Sequence, residues 1–271
     1  MTTPEDTTDV CIVGAGIAGL TTALTLVRRG ARVMVLDDGP FGDGETGRTT
    51  AHLASAVDAR FYKLERSLGP RAAQLVAESH SAAIDAIEHN VRELDIDCEF
   101  KRVAGYLYAP PGSARSRRAD RELDRELRAA TRAGLIVERV EEPPLPFEVG
   151  PALRFANQAQ FHPMKYLRGL ADAVIALGGT IHEGIHVRAI EPGTPLEIVT
   201  VDERGERRIR AQVAVDATNA TITSPVKLTT RVGAYRTYVL AFDVLAGHIP
   251  QALYWDTGDP YHYLRLAPGE P

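Results

Sequence analysis

The chain has 271 residues, of which 44% are hydrophobic and 25% charged, a composition typical of a globular protein. Its net charge is −5, from 31 Lys and Arg against 36 Asp and Glu, so no basic footprint for nucleic acid is expected. The two isolated cysteines, Cys11 and Cys98, exclude a disulfide framework and a Cys-x-x-Cys metal pair. Burial in an apolar strand predicts that Cys11 is unreactive.

The first nine residues are polar and acidic, unlike a secretory signal. The apolar run that follows is interrupted by glycines and is too short to cross a bilayer. These features, together with the lack of cysteine pairs, predict a cytoplasmic protein without a transmembrane segment.

The N-terminal segment has the pattern of a βαβ unit with parallel strands. A buried strand is followed by a glycine turn, a helix with apolar residues on one face, and a second strand that ends at two acids. The predicted ranges are strand 9–13, turn 14–19, helix 17–29 and strand 32–36, with Asp37 and Asp38 at the end.

Helices and strands continue to alternate along the rest of the chain. Helices are predicted at 61–94, 115–132 and 164–177, and strands at 98–108, 152–156, 180–183, 185–190, 196–201, 207–215, 226–233 and 235–244. The many charges of helix 115–132 are typical of a solvated face. Residues 39–50 contain four glycines and are predicted to form a loop.

The sequence Gly14-Ala15-Gly16-Ile17-Ala18-Gly19 has the spacing of a dinucleotide-binding turn. Gly14 would make the tight turn, Gly16 would let the backbone approach a pyrophosphate, and Gly19 would allow helix and strand to pack closely. The helix start would offer free N–H groups to the phosphates. Asp37, 18 residues beyond Gly19, would accept hydrogen bonds from a ribose diol. The alternative is a glycine-rich turn in another α/β fold, and the unit alone does not separate FAD from NAD.

A second candidate segment is the loop 44–52, Gly-Glu-Thr-Gly-Arg-Thr-Thr-Ala-His. Its threonines, Thr46, Thr49 and Thr50, offer hydroxyl groups, and Arg48 offers charge-assisted hydrogen bonds to a pyrophosphate or a substrate carboxylate. The alternative is a polar surface loop that caps the next helix. His52 is a candidate to contact the flavin or substrate, although a structural role is commoner for a lone histidine. His162 and His186 are weaker candidates. No catalytic base and no metal site are predicted.

The sequence resembles the D-amino-acid oxidase-like (DAO) superfamily of FAD-dependent oxidoreductases. The resemblance covers residues 9–219 and rests on six segments in order: 14–19, the strand to Asp37, 44–52, 161–163, 184–187 and 213–219. It implies an α/β fold with a Rossmann-like FAD-binding domain and an interleaved, mainly antiparallel β substrate domain. It also implies FAD as cofactor, with Val187 beside the adenine and Ala217 and Thr218 at the family's Ala-Thr-Gly turn. Asn219 replaces the commoner glycine there and tolerates a positive φ.

The resemblance also predicts domain limits. The FAD-binding domain would comprise 1–95 and 155–225, and the substrate domain 96–154 and 226–271. Family members add a returning strand to the FAD domain after the substrate strands, and that segment is expected to be missing here, so the substrate domain would be incomplete at the C-terminus. This predicts a fragment, a truncated product or part of a split protein, with one sheet edge lacking its usual neighbour.

The expected function is oxidation of an amine or amino acid by hydride transfer to the flavin. Loop 44–52 is nearest the amine-oxidising members, including some fused to a Rieske domain. The resemblance therefore implies an electron acceptor or a Rieske partner, whose identity the sequence leaves open. By this resemblance the C-terminal aromatic residues would line the substrate side of the flavin; the alternative is ordinary packing within a sheet. These residues are Tyr235, Tyr238, Tyr254, Trp255, Tyr261 and Tyr263. The alternatives are a nucleotide-binding module without turnover and an NAD-dependent dehydrogenase.

Overall fold

The structure is a computed structural model that describes residues 7–112, 116–219 and 237–267. The chain divides into two compact units. Unit 1 comprises Met1–Thr50, Ile96–Cys98 and His162–Tyr238, and unit 2 comprises Ala51–Asp95, Glu99–Phe161 and Val239–Pro271. The chain therefore passes between the units several times. The domain limits inferred from the sequence stay a prediction.

Unit 1 is built on a six-stranded mixed sheet in the order β7-β2-β1-β10-β9-β8. Its strands are β1 (Thr7–Val13), β2 (Val33–Leu36), β7 (Thr180–His182), β8 (His186–Glu191), β9 (Leu196–Asp202) and β10 (Gly205–Asp216), and its helices are α1 (Ile17–Val27) and α5 (Pro163–Ala176). The strands β7, β2, β1 and β10 run parallel, whereas β9 and β8 form an antiparallel extension.

The βαβ unit predicted from the sequence is confirmed, with β1 and β2 paired in parallel from Val10 opposite Val33 to Val13 opposite Leu36. All four residues of β2 are buried, as expected for a central parallel strand. Helix α1 packs against α5. It ends two residues earlier than predicted, at Val27, because Gly30 adopts a left-handed φ of 83° and its N–H returns to the carbonyl of Val27.

One apolar core of unit 1 lies between the parallel strands and the antiparallel extension. It contains residues from β1, β2, β8, β9 and β10, among them Cys11, Leu36, Val187, Ile198 and Ile209. Because residues of both parts of the sheet share one cluster, this core fixes β8 against the carboxyl ends of β1 and β2. That arrangement positions the site described below.

Unit 2 contains a second six-stranded sheet, in which β12, β11, β4, β6 and β3 follow one another and β5 also pairs with β6. Its strands are β3 (His52–Leu53), β4 (Lys101–Tyr108), β5 (Val137–Val140), β6 (Ala152–Gln160), β11 (Leu253–Asp256) and β12 (Tyr263–Arg265), and its helices are α2 (Phe61–Leu68), α3 (Pro70–Glu93) and α4 (Arg117–Arg132). Among the described residues of unit 2, every strand pair is antiparallel except β11 with β4. The predicted α/β fold with a mainly antiparallel second sheet is confirmed.

The helices of unit 2 pack on one face of this sheet. Phe61, Leu123, Leu153, Phe155 and Trp255 belong to the shared core. Glu126 is buried in α4, and its carboxylate accepts hydrogen bonds from the N–H groups of Phe61 at 3.0 Å and Tyr62 at 3.2 Å. These are orphan donors at the start of α2, so Glu126 caps that helix from another element.

Several sequence predictions differ from the structure in detail. The helix predicted at 61–94 is two helices, because Gly69 has a φ of 87° that interrupts the helical backbone. The strand predicted at 226–233 and the start of that predicted at 235–244 lie outside the described residues. From 237 to 244 the strand prediction is wrong, because the backbone forms no ladder there and Tyr238 is 90% exposed.

The short strands β3, β5, β11 and β12 were not predicted. Each has two to four residues, which is too short for a distinct alternating pattern. None of the helices in the described ranges combines the length and apolar character that a bilayer crossing requires.

Candidate nucleotide-binding site

The glycine turn after β1 is closely packed at two of its three glycines. Gly14 has a φ of 106°, and a Cβ there would lie 2.6 Å from the carbonyl oxygen of Ala217. A Cβ on Gly19 would lie 1.9 Å from the carbonyl oxygen of Gly14. At Gly16, by contrast, the nearest neighbour of a Cβ would be the hydroxyl of Thr46 at 3.3 Å. Gly14 and Gly19 are therefore needed for folding of the turn, whereas Gly16 keeps its surface open for a close approach.

Helix α1 begins in this turn without a side-chain cap at its N-cap residue. Its N-cap, Gly16, has no side chain to accept a hydrogen bond, and its first turn contains no acidic residue. Thr46 reaches this helix start from the following loop, and its Oγ1 accepts the N–H of Ile17 at 3.4 Å. A helix N-terminus without an acid attracts anions through its N–H groups and its dipole. The hydroxyl of Thr46 would lie next to an anion bound at this helix start.

Asp37 is fixed at the end of β2 through both its backbone and its side chain. Its N–H donates to the carbonyl of His182 and its carbonyl accepts the N–H of Ile185, each at 2.9 Å. Its carboxylate accepts the N–H of Ala15 at 2.6 Å and that of Gly39 at 3.1 Å. A carboxylate has about four acceptor positions, so Asp37 keeps capacity for a ribose diol. The Ala15 N–H is directed at Asp37.

The glycine turn, Asp37 and the ends of β1, β2 and β10 enclose a crevice of about 860 Å³. This volume lies within the range of about 300–1,000 Å³ typical of small-molecule sites. Twelve of the fifteen cofactor-binding residues predicted from the sequence line it: Gly14, Ala15, Gly16, Ile17, Ala18, Asp37, Asp38, Thr46, Arg48, Val187, Ala217 and Thr218. The other three, Gly19, Thr49 and Thr50, do not, because Gly19 packs inside the turn and the two threonines follow the lining loop.

The crevice is also lined by residues outside the predicted cofactor-binding set, among them Gly39, Asp43, Glu45, His186 and Asp216. The first three lie in a loop whose ligand contacts depend on its path, which a motif does not specify. The only sequence signal for the path of this loop was the spacing of its glycines. Gly42 has a φ of 78°, and a Cβ on Gly47 would lie 2.3 Å from the carbonyl oxygen of Gly42. These two glycines therefore make the loop compact.

The side-chain charge of the crevice is mainly negative. Five carboxylates line it, from Asp37, Asp38, Asp43, Glu45 and Asp216, against one guanidinium, from Arg48. Arg48 lies 3.5 Å from Asp43 and 3.8 Å from Glu45 in a 3₁₀ turn, Glu45–Arg48, and its side chain is 63% exposed. Such a lining repels a 2′-phosphate. A pyrophosphate would be bound by the backbone donors at the start of α1. Arg48 could add a charged hydrogen bond only after it breaks its ion pairs with Asp43 and Glu45.

Strand β10 delivers the last part of the site. The N–H of Ala217 donates to the carbonyl of Val13 at 2.8 Å. Asp216 accepts hydrogen bonds from the N–H and the hydroxyl of Thr218, at 3.2 and 2.5 Å. Asn219 has a φ of 62°, which confirms that asparagine supports the turn where glycine is commoner.

The histidines highlighted in the sequence have separate positions. His162 caps α5, since its Nδ1 accepts the N–H of Lys165 at 3.4 Å, and a structural role explains it. His186 lies in the crevice, with its Nδ1 3.5 Å from Asp38. His52 lies in unit 2, where burial and the charge of Arg265 lower the pKa of its imidazole to about 4.

The C-terminal aromatic residues divide between packing and polar contacts. Tyr254 stacks on Tyr106 with ring centroids 5.4 Å apart, and Trp255 stacks on Phe155 with ring centroids 6.0 Å apart. These two are explained by sheet packing. Tyr263 contacts the ring of His52 at 5.2 Å, whereas the Tyr261 hydroxyl donates to Asp58 at 3.1 Å. Tyr235 lies outside the described residues.

A comparison with known families identifies the chain. Residues 9–270 match the profile of the family described as DAO, FAD dependent oxidoreductase. The chain belongs to this family. The predicted resemblance is thus confirmed, and so is FAD as the cofactor. The residues present fit this group, because the open surface at Gly16, the start of α1 and the carboxylate of Asp37 line one crevice.

Curated relatives are similar over most of this chain. A putative Rieske 2Fe-2S iron-sulfur protein, YhfW of Bacillus subtilis, is 36% identical over 72% of this chain and 38% of its own length. Gamma-glutamylputrescine oxidoreductase of Escherichia coli is 25% identical over 79% of this chain and 49% of its own. The chain thus spans less than half the length of these two relatives.

Solved structures show the same fold. Glycine oxidase from Geobacillus kaustophilus matches with a TM-score of 0.65 and 20% identity, over 80% of this chain and 56% of that one. L-proline dehydrogenase from P. horikoshii matches with a TM-score of 0.69 and 15% identity, over 97% of this chain and 68% of that one. At these identities the similarity concerns the fold.

Proposed function

We propose that this chain is the FAD-binding part of an oxidoreductase that oxidises an amine or an amino acid. The main observation in support is the crevice of unit 1, which has a volume of about 860 Å³. It is lined by the glycine turn, the start of α1, Asp37 and the ends of β1, β2 and β10. Ligands of open parallel sheets bind beyond the carboxyl ends of the strands, at this position. The family and the names of its relatives support the choice of FAD and of oxidation.

Each part of the crevice has a distinct task in this proposal. The N–H groups at the start of α1, the hydroxyl of Thr46 and the guanidinium of Arg48 would hold the pyrophosphate. Asp37 would accept hydrogen bonds from the ribose next to the adenine, and Val187 would contact the adenine through its backbone. Ala217 and Thr218 would close the crevice at the end of β10. The bound flavin supplies the chemistry, by accepting a hydride from the carbon that bears the substrate nitrogen.

The glycine-turn assignment also explains selection among nucleotides. Asp37 and Asp38 both line the crevice, where their negative charges would disfavour a 2′-phosphate on a ribose bound at Asp37. We therefore propose FAD over NADP. A Rieske-type iron–sulfur protein is our candidate for the electron acceptor, supported by the relative of that name. Buried Cys11 and Cys98 support our proposal of a reducing compartment, the cytoplasm.

Flavin release and flavin reduction test the proposal separately. The purified chain is denatured, and the released cofactor is identified by absorbance and mass. The native chain is then mixed with a panel of amines and amino acids without oxygen, and the flavin absorbance near its visible maximum is followed. Released FAD and bleaching by one member of the panel support an oxidoreductase. Released FAD without bleaching by any member favours the nucleotide-binding module, and a chain that holds NAD in place of FAD would overturn the proposal.

A further inference from the structure

The loop 39–50 of unit 1 packs against helix α5, and Met164 of that helix is central to the contact. A Cβ on Gly42 would lie 2.0 Å from Cε and 2.8 Å from Sδ of Met164. A Cβ on Gly47 would lie 3.6 Å from the same sulfur. The thioether of Met164 therefore lies directly against two glycines of the loop.

Two further residues of α5 contact the same loop. The Cδ2 of Leu167 would lie 3.7 Å from a Cβ on Gly42, and the guanidinium of Arg168 lies 5.1 Å from the centre of the Phe41 ring. Two backbone hydrogen bonds of 3.1 Å, by contrast, close turns inside the loop. These bonds fix its shape but not its place on unit 1. The position of the loop therefore depends on its packing against α5.

The loop carries side chains of the proposed cofactor site. Thr46 and Arg48 belong to it, and Gly42 itself lines the crevice. The hydroxyl of Thr46 reaches the start of α1 through a long hydrogen bond, of 3.4 Å, from the N–H of Ile17. A change in the packing at Met164 would therefore displace Thr46 and Arg48 relative to the start of α1.

Met164 is also placed where an oxidant can reach it. The residue is partly exposed, whereas Met34, the other methionine in the described ranges, is 2% exposed in β2. Oxidation converts a flexible, apolar thioether into a polar sulfoxide that disrupts apolar contacts, and sulfoxide reductases reverse the change. Because susceptibility increases with exposure, peroxide should react with Met164 before Met34.

We propose that Met164 is a site of reversible oxidation by peroxide, and that formation of its sulfoxide weakens FAD binding through the loop 39–50. A lone pair of Sδ attacks one oxygen of hydrogen peroxide, so that an S–O bond forms and the O–O bond breaks. The thioether loses two electrons, the proton of the attacked oxygen passes to the leaving hydroxide, and water is released. The inference rests on the cofactor site proposed above.

The sulfoxide has two ways to relax, and both disturb the loop. An oxygen that stays on the loop side of Sδ crowds Gly42, because a Cβ there would already lie 2.8 Å from the sulfur. A side chain that turns towards water instead removes the sulfur and the methyl group from Gly42 and Gly47, and the loop loses those packing contacts. Either change lowers the affinity for FAD while every residue of the crevice stays in the chain.

Peroxide treatment of the flavin-free chain tests the inference. The chain is treated with hydrogen peroxide, freed of peroxide and titrated with FAD, and mass spectrometry of its peptides locates the added oxygen. We expect oxygen on Met164 before Met34. We also expect an affinity for FAD about tenfold lower, because hydrogen bonds of Thr46 and Arg48 to the pyrophosphate are lost together. Methionine sulfoxide reductase should restore the affinity, and thermal melts check that the oxidised chain stays folded.

Variants assign the effect to one sulfur. M164L keeps an apolar side chain of similar volume, so we expect it to bind FAD nearly as the unchanged chain does and not to respond to peroxide. M164Q is expected to weaken FAD binding without any oxidant, since it places a polar group against the loop. The matched control is M34L, the same change in buried strand β2, which should respond to peroxide like the unchanged chain. Because M164L retains Cys11 and Cys98, a loss of affinity that it resists does not come from the thiols.

Hydrogen exchange of the loop gives a readout that does not need the cofactor. We expect the backbone N–H groups of residues 39–50 to exchange faster in the flavin-free chain once Met164 is oxidised, and to be unaffected by peroxide in M164L. Unchanged exchange after complete oxidation of Met164 would overturn this inference alone. An untreated chain that binds no FAD would instead overturn the proposed function.

Four further outcomes would overturn the inference. The first is a Met164 that stays unoxidised until the chain unfolds, and the second is an unchanged affinity for FAD after oxidation of Met164. The third is an equal loss of affinity in peroxide-treated M164L. The fourth is loss of the whole fold on oxidation, because the affinity would then fall without a specific change at the loop.

Discussion

The carboxylate of Asp37 accepts a hydrogen bond from the backbone N–H of Ala15 at 2.6 Å. This contact joins the end of β2 to the glycine turn after β1. Asp37 thus holds the turn in place, and in the proposed function it also receives the ribose. A substitution at Asp37 should affect both the stability of the turn and the affinity for FAD.

We expect D37N to bind FAD about tenfold or more weakly than the unchanged chain, because hydrogen bonds to a charged acceptor contribute about 1.5–3 kcal/mol. Equilibrium titration with FAD, followed by quenching of flavin fluorescence, gives the two affinities. The matched control is D172N, an exposed aspartate on α5 of the same unit. Equal affinities in D37N and D172N would remove Asp37 from the site.

The glycines of the turn should separate folding from binding. G19A places a Cβ 1.9 Å from the backbone oxygen of Gly14, and such overpacking costs about 1–3 kcal/mol or more. G16A meets only the Thr46 hydroxyl at 3.3 Å. We therefore expect, with all chains flavin-free, that G19A melts at a lower temperature and that G16A melts near the unchanged chain although it binds flavin more weakly. A G16A variant with full flavin content would contradict the close approach at Gly16.

Glu126 should stabilise unit 2 through its cap on α2. E126A leaves the N–H groups of Phe61 and Tyr62 without their acceptor, so we expect a loss of about 1–3 kcal/mol in the free energy of unfolding. Urea denaturation measures it, with E142A, an exposed glutamate of unit 2, as the control. Similar losses in both variants would exclude the cap.

The pH dependence of the Glu126 contribution has a defined sign. Burial raises the pKa of this carboxyl above 4.5 in the folded chain. The folded state therefore binds the proton more tightly than the unfolded state, so this contribution is present below pH 4.5 and is lost as the pH rises through the folded pKa. We expect the unchanged chain to gain stability relative to E126Q as the pH falls from 7 towards 4. A difference that does not vary with pH would contradict a raised pKa.

Cys11 should be unreactive in the folded chain. Its side chain is fully buried, and burial raises the pKa of the thiol from 9.0 to about 12. Because the thiolate is the reactive form, we expect a C98S variant to react with a thiol reagent at pH 8 only after unfolding. The same shift contributes stability below pH 9.0, and that contribution is lost between pH 9.0 and about 12. Rapid labelling of the native variant would contradict the assignment.

The sequence predicted the parts of this fold that depend on local patterns. The apolar run of β1, the glycine spacing and the acid after β2 define the βαβ unit without knowledge of the rest of the chain. The contact of Asp37 with Ala15, however, depends on how two loops meet, and sequence spacing does not encode it. The same holds for Glu126, which one would assign to the charged face of α4 although it is buried against α2.

The surroundings of His52 in unit 2 could not be predicted either. His52 and Gln160 are 108 residues apart and become neighbours only through the β3–β6 register. Strand β3 has two residues, so no alternation marks it. The sequence made His52 a candidate from its position after a glycine loop. The residues around it could be identified only once the second sheet was known.

The most direct test of this account is the affinity of the flavin-free chain for FAD, compared with that of G16A and with the affinity for NAD. The account predicts that the chain binds FAD more tightly than NAD, and that G16A weakens FAD binding while the melting temperature stays nearly unchanged. A folded chain that binds no FAD, or one in which G16A leaves the affinity for FAD unchanged, would contradict the assignment of the crevice between the glycine turn and Asp37 as the cofactor site.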